Sequence, residues 1–376
     1  MTAKPSLSFY TNIPTPYQLA FFNELSKWFQ LTVIYYSTTE SDRYWNFDMQ
    51  KEYEVVILKN NFIAKVIQRK VLDFHFSWQI FKTAWKDKSQ YVIIGGGYWI
   101  PNGVSALLIQ RFKKKKVAYF SEPLFEVNNK IKHAIKWSTL RILNFCCDAI
   151  FCTSSKAVET FNKFGVRPPK FIIPYNIDAQ SFAQVDKKKK AMLANLYKQN
   201  GEVILLSSGS LIARKGMDII INAIKKCDEK KIKLVIIGNG PEKQNLKALI
   251  GCDKRVILAG FQQPDDIPLF FAIADIFVFA SRYDGWAVVI NEAIAAGLPI
   301  ICSDAVGAGV ELLKHQQNGW LCKSNSVEDF TAAIKTLTSQ QQKREAMKAE
   351  IKKSIPLISS SYNAKYVFEL FTQILK

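Results

Sequence analysis

The chain has 376 residues, a formal net charge of +19, 48% hydrophobic residues and 22% charged residues. That length exceeds one comfortable core and predicts two domains, and the composition is that of a globular protein, which sets aside disordered and fibrous classes. No apolar run reaches the ~18 residues of a membrane span, three scattered histidines (His75, His133, His315) argue against a His-built metal site, and seven cysteines without a CxxC pair fit a reducing compartment.

The start, MTAKPSLSFYTN, has no signal-peptide core and runs directly into a strand, so a cytoplasmic location is expected. Residues 6–10 read as that strand, ending in a turn punctuated by Pro14 and Pro16. Residues 17–29 have helical spacing (Leu19, Phe22, Leu25, Phe29), and 31–36 is a strand again. Strands at 55–58, 91–94, 117–120, 149–153 and 171–173 continue the alternation, which predicts a parallel, doubly wound α/β sheet. Between them, residues 62–85 carry Phe62, Phe74, Phe76, Trp78, Phe81 and Trp85 interleaved with lysines and Arg69. Such a mixture suits an interfacial membrane contact, though rings of this kind more commonly belong to a core. Positive charge gathers in blocks at 111–116 (RFKKKK), 130–141 and 187–190, a pattern open to anionic substrates, an anionic membrane surface, nucleic acid or plain solvation.

A link is expected over 175–198, after which the pattern restarts. Strands are expected at 203–207, 233–237, 256–258, 276–279 and 300–302, with helices at 217–226, 242–250, 327–337, 340–352 and 363–375. In open parallel sheets ligands bind where strands end and loops lead into helices. Three such loops carry candidate groups. SGSLIARKG, 208–216, offers Gly209, Ser210 and the adjacent cations Arg214 and Lys215 beside a helix N-terminus, which suits phosphate or a solvated charge pair. A tight turn at Gly238 and Asn239 leaves room for a flat ring to approach the backbone. The third, ASRYDGWAVVINEAIAAGLP at 280–299, places Asp284 just before a helix starting near Trp286 and Glu292 inside it. Eight positions is a little over two helical turns, so both acids can face one side; an N-capping Asp and a solvated Glu fit the same spacing. Together the loops describe a crevice for a diphosphate flanked by a polyol and a nucleoside. Arg214 and Lys215 would take the charge, Asp284 hydroxyls of the outer group and Glu292 a ribose.

SGSLIARKGMD, IIGNGPEKQNLKALI and SRYDGWAVVINEAIAAGLPII, in this order, resemble the C-terminal domain of GT-B glycosyltransferases of family 4, over most of 203–322. NIPTPYQLAFFNEL and IPYNID extend the likeness more loosely into the first half. The resemblance implies an α/β fold of two Rossmann-like domains facing across a cleft. Residues 1–180, with the helix 360–376 packing back on them, would bind the acceptor, and 181–359 the nucleotide sugar. It also implies metal-independent transfer of a hexosyl group with retained configuration, with no cofactor beyond the nucleotide diphosphate sugar that serves as donor. The family's acid pair falls on Asp284 and Glu292, Asp284 being one methylene shorter than the usual Glu. Backbone amides of Gly285, Trp286, Ala287 and Val288 would line the sugar and phosphate. Ser210 stands where the family usually has an arginine, and Tyr17-Gln18-Leu19 where it often has glycines, bringing the Gln18 side chain toward the substrate. Glu122 is the best polar candidate for acceptor binding or base work.

The expected partners are a nucleotide sugar, a glycan or lipid-linked acceptor and an anionic membrane surface, with no nucleic acid. The expected setting is cell-surface polysaccharide or lipopolysaccharide biosynthesis at the inner face of the membrane. Rival readings are a nucleotide-sugar epimerase or a phosphorylase of the same architecture, or an inactive basic protein that binds polyanions or membrane surfaces. A dehydrogenase is disfavoured because no GxGxxG follows the first strand of either half.

Overall fold

The computed structural model of the chain describes residues 4–38, 51–68, 71, 74–124, 129–199 and 201–375. The chain divides into two compact units, Met1–Asn176 with Ser360–Lys376, and Ile177–Ser359. Among the described residues the first unit holds seven strands: β1 (Ser6–Thr11), β2 (Gln30–Tyr35), β3 (Glu54–Ile57), β4 (Tyr91–Gly95), β5 (Lys116–Ser121), β6 (Ala149–Cys152) and β7 (Lys170–Ile172). They pair in parallel in the order β3-β2-β1-β4-β5-β6-β7. Side chains alternate across each strand, so β1 sends Leu7 and Phe9 to one core and Tyr10 to the other. The Leu7 side is closed by the helix Pro16–Trp28, through Phe22 and Leu25, and by the chain end, through Ala364, Val367 and Phe371. The Tyr10 side is closed by Ile80, Leu107, Leu140 and Leu143 from three helices.

The second unit holds β8 (Val203–Ser208), β9 (Ile232–Ile237), β10 (Val256–Gly260), β11 (Ile276–Phe279), β12 (Ile300–Ser303) and β13 (Gly319–Cys322), parallel in the order β10-β9-β8-β11-β12-β13. The apolar run Ile219-Ile220-Ile221 of the helix Met217–Lys225 packs with Leu205, Leu234, Val278 and Ile334. Each sheet reverses its strand order once, at β1/β4 and at β8/β11, and these switch points are where doubly wound sheets open a crevice.

Several elements differ from their sequence expectation. The aromatic stretch 62–85 is two short helices, Phe62–Gln68 and Gln79–Lys86, rather than one stripe. Ile80, Ala84 and His75 go inward while Phe62, Trp78, Phe81 and Trp85 stay exposed. Arg69 lies outside the described residues. The basic block 130–141 belongs to the helix Lys130–Cys146, capped by the Asn129 side chain. The block 187–190 is the first turn of the helix Lys187–Tyr197, capped by Asp186, inside the stretch expected to be a link. The last helix starts at Ser360 and ends in a π-turn, Leu370–Ile374.

Candidate functional site

The loops that leave β8 and β9 are fastened backbone to backbone. Gly209 N donates to Ile237 O at 3.1 Å, Leu211 N to Asn239 O at 2.9 Å and Glu242 N to Leu211 O at 2.9 Å. A Cβ on Gly238 would stand 1.9 Å from Gly209 O, and one on Gly240 2.4 Å from Leu211 O. The bare faces of the 238–241 turn are therefore filled by the neighbouring loop. This corrects the expectation that they clear space for a flat ring. Ser210 is exposed on that loop and accepts from Ile212 N at 2.9 Å.

Arg214 and Lys215 sit on a 3-10 turn, Ala213–Lys215, ahead of the helix Met217–Lys225. The turn is clamped by residues just after β11. Arg282 N and Ser281 Oγ both donate to Arg214 O, at 2.8 and 3.1 Å. The Arg282 guanidinium bonds both oxygens of Asp218, at 2.9 and 2.6 Å, and also the Ala213 carbonyl. Ser281, Arg282 and Asp218 were not singled out from the sequence, although a cation two residues before Asp284 was the available signal.

Asp284 joins this cluster. Its Oδ2 accepts from Lys215 Nζ at 2.5 Å and from Arg214 at 3.3 Å, while Arg214 also donates to Tyr283 O at 2.6 Å. The side chains of Lys215 and Asp284 are largely buried and that of Arg214 is half exposed. The Asp284 backbone is pinned to the loop after β12: Asp284 N donates to Ala305 O at 3.1 Å and Gly307 N to Asp284 O at 3.0 Å. Gly307 is needed there because a Cβ would lie 2.1 Å from Gly285 O.

The helix after this loop runs Val288–Ala295, two residues later than expected. Trp286 is buried, its Nε1 donating to Asn291 at 3.1 Å, and Ala287 is held at φ +73°, in the left-handed region that a side chain rarely adopts. Asp284 thus lies outside the helix among cations. Glu292 stands in the second turn of the helix, and burial pushes its carboxyl up to about 7. The two acids occupy different environments, Asp284 among cations and Glu292 in a buried setting.

Gln18 and Glu122 fall together in the first unit. They line a cavity of about 350 Å³ with Asn12, Gly96, Gly97 and Tyr175, at the ends of β1, β4 and β5. Thr15 Oγ1 donates to Gln18 Oε1 at 2.9 Å. Asn12 Oδ1 is buried and finds no partner among the described residues, which marks Asn12 as a polar lining residue that sequence reasoning missed. Among the described residues, no three His, Cys, Asp or Glu side chains gather as metal ligands.

Residues 188–354 match the family model of the group 1 glycosyl transferases. The chain carries a group 1 glycosyl transferase domain. The chain is 27% identical over 237 residues to a GDP-mannose-dependent alpha-(1-6)-phosphatidylinositol monomannoside mannosyltransferase of Mycobacterium tuberculosis, covering 58% of this chain and 61% of that one. It is also 27% identical, over 262 residues, to the N-acetylgalactosamine-N,N'-diacetylbacillosaminyl-diphospho-undecaprenol 4-alpha-N-acetylgalactosaminyltransferase of Campylobacter jejuni, covering 67% of this chain and 68% of that one. The chain spans 53% and 61% of the length of the first curated relatives it matches. HepE of Anabaena, solved in complex with UDP, superimposes with a TM-score of 0.76 at 16% identity, over 98% of this chain and 100% of that one. The fold of the chain is accordingly that of the GT-B glycosyltransferases, with two Rossmann-like α/β domains.

Proposed function

We propose that the protein is a family 4, retaining glycosyltransferase that moves a hexosyl group from a nucleotide diphosphate sugar to a glycan or lipid-linked acceptor, without a metal. The observation that carries this reading is the convergence of Arg214 and Lys215 on one oxygen of Asp284 at the β8/β11 switch point, inside the matched domain. Two cations aimed at one point beside a helix N-terminus favour a doubly charged phosphate group. The Asp284 carboxylate takes that position; a bound diphosphate would take it over while Asp284 turns to the sugar hydroxyls.

In the reaction the bond between the anomeric carbon and the β-phosphate oxygen breaks, and its electron pair leaves with the nucleoside diphosphate. Arg214, Lys215 and the amides of Gly285 to Val288 receive that charge as it develops. The acceptor hydroxyl forms its bond to the same face of the sugar and passes its proton to the departing phosphate oxygen. Glu292 binds the ribose. Gln18 and Glu122 hold the acceptor in the cavity of the first unit. The two relatives named for lipid-borne substrates support a lipid-linked acceptor, and the reading extends to surface polysaccharide or lipopolysaccharide assembly at the cytoplasmic face of a membrane.

A panel of nucleotide sugars screened by thermal shift identifies the donor, since a ligand that binds only the folded form raises its melting temperature. Lys215→Ala is expected to cut transfer by about 100-fold or more with the fold intact. Near-normal turnover of that variant would overturn the assignment, and conversion of the nucleotide sugar without acceptor would mark an epimerase instead.

A further inference from the structure

The helices Gln79–Lys86, Pro101–Phe112 and Lys130–Cys146 pack side by side on one face of the first sheet, their inner residues Ile80, Leu107, Leu140 and Leu143 sharing one core. Their outer faces carry Trp78, Phe81, Trp85, Phe112, Trp137 and Phe145, each between 43% and 74% exposed. These rings connect within one helix and between neighbouring helices. Trp85 stacks on Phe112 at 6.0 Å, Trp78 on Phe81 at 6.0 Å, and Arg111 lies over the Phe145 ring at 5.7 Å. A contiguous apolar patch of this kind marks a surface that meets a partner.

The charge around the patch has one sign. The three helices contain two, one and four lysine or arginine residues and no aspartate or glutamate, and of these cations only Lys136 is buried. The acids at their margins are matched, Asp87 to Lys115 at 3.0 Å and Asp148 to Arg111 at 3.9 Å. Large aromatic rings ringed by cations fit the boundary between lipid headgroups and acyl chains, where the rings enter and the cations meet anionic headgroups.

We propose that this three-helix face docks the protein on an anionic lipid surface. A second copy of the chain fits less well, because two such faces would oppose like charges. Single-stranded nucleic acid needs open ring faces on which to stack, whereas here one face of Trp85 is turned to Phe112, and Arg141 lies over one face of Trp137 at 3.6 Å. The inference deepens the reading of a lipid-linked acceptor and rests on it for its biological sense. The binding is nevertheless measured without donor or acceptor, so failure of either reading is seen separately.

The test is co-sedimentation of the full chain with vesicles of phosphatidylcholine alone and of phosphatidylcholine mixed with phosphatidylglycerol. The expected result is binding to the mixed vesicles, little to the neutral ones, and release as salt rises. Lys86→Gln with Lys132→Gln is expected to weaken binding about 25-fold, roughly fivefold per cation. Trp85→Ser with Phe112→Ser is expected to abolish it, with the melting temperature of each double variant showing that it folds. Equal binding to both vesicle types, unchanged binding by the folded variants, a dimer that Trp85→Ser with Phe112→Ser makes monomeric, or an oligonucleotide bound in preference to the vesicles would each overturn the proposal.

Discussion

Glu292 and Asp284 show how differently one fold treats two carboxylates. Asp284 lies against Lys215 and Arg214, at 2.5 and 3.3 Å from their charged nitrogens. Glu292 has its carboxyl raised from an ordinary value of 4.5 to about 7, because burial penalises the charge. The folded protein therefore keeps the Glu292 proton across a window in which the unfolded chain has lost it. Stability falls as pH rises from about 4.5 to about 7 and is then flat with respect to this group. Glu292→Gln, which has no charge to bury, is expected to match the native protein near pH 4 and to exceed it by up to about 3 kcal/mol above pH 7. Denaturant melts at the two pH values check this; a variant less stable at high pH would sink the argument. If Glu292 accepts ribose hydroxyls as a carboxylate, nucleotide binding also releases a proton near neutrality. Calorimetry in buffers of different ionisation heat reads that release directly.

At the scale of elements, the candidate site is a set of loops that hold one another. Arg214 and Lys215 have no secondary structure of their own beyond one 3-10 turn, and their position depends on Ser281, Arg282 and Asp218. Arg282→Met removes a bidentate ion pair and a carbonyl bond, leaving the turn free to shift. It is expected to weaken nucleoside diphosphate binding about tenfold, a loss of about 1.4 kcal/mol. Lysine does not restore the affinity, because a single ammonium cannot bridge both oxygens and the carbonyl. If Arg282 merely supported the fold, melting would drop while the affinity measured by titration stayed unchanged. The cluster of Arg214, Lys215 and Asp284 was legible in the sequence because its members lie in short ordered motifs. Their clamp was not, because Arg214 and Arg282 are 68 positions apart and only the β8/β11 pairing brings them together. The glycines misled for the same reason. Gly238 looks like room for a ligand until Gly209 is seen to fill it.

For the whole molecule, the doubly wound alternation was readable because strands buried on both faces are continuous apolar runs and the helices between them are one-sided. The aromatic stretch 62–85 was harder, since core and surface rings share one composition and only packing separates Ile80 from Trp85. The chain end illustrates the same limit in reverse. Its aromatic residues are spent inside the first unit, where Phe371 stacks on Tyr91 at 4.9 Å and meets Phe151 at 5.6 Å, and Phe368 meets Trp28 at 5.1 Å. Asn363 also bonds Asn176, tying the last helix to the final residue of the first unit's leading segment. The first unit is therefore built from both ends of the chain and the second from the middle. Phe371→Ala removes a buried ring and is expected to cost the first unit about 3–5 kcal/mol. If Arg214 and Lys215 hold a nucleoside diphosphate as proposed, it stabilises the unit that contains them. Calorimetric scans should accordingly show the variant lowering one transition and the nucleotide raising another. A variant that lowers the nucleotide-responsive transition instead would mean that the two cores do not melt as separate bodies.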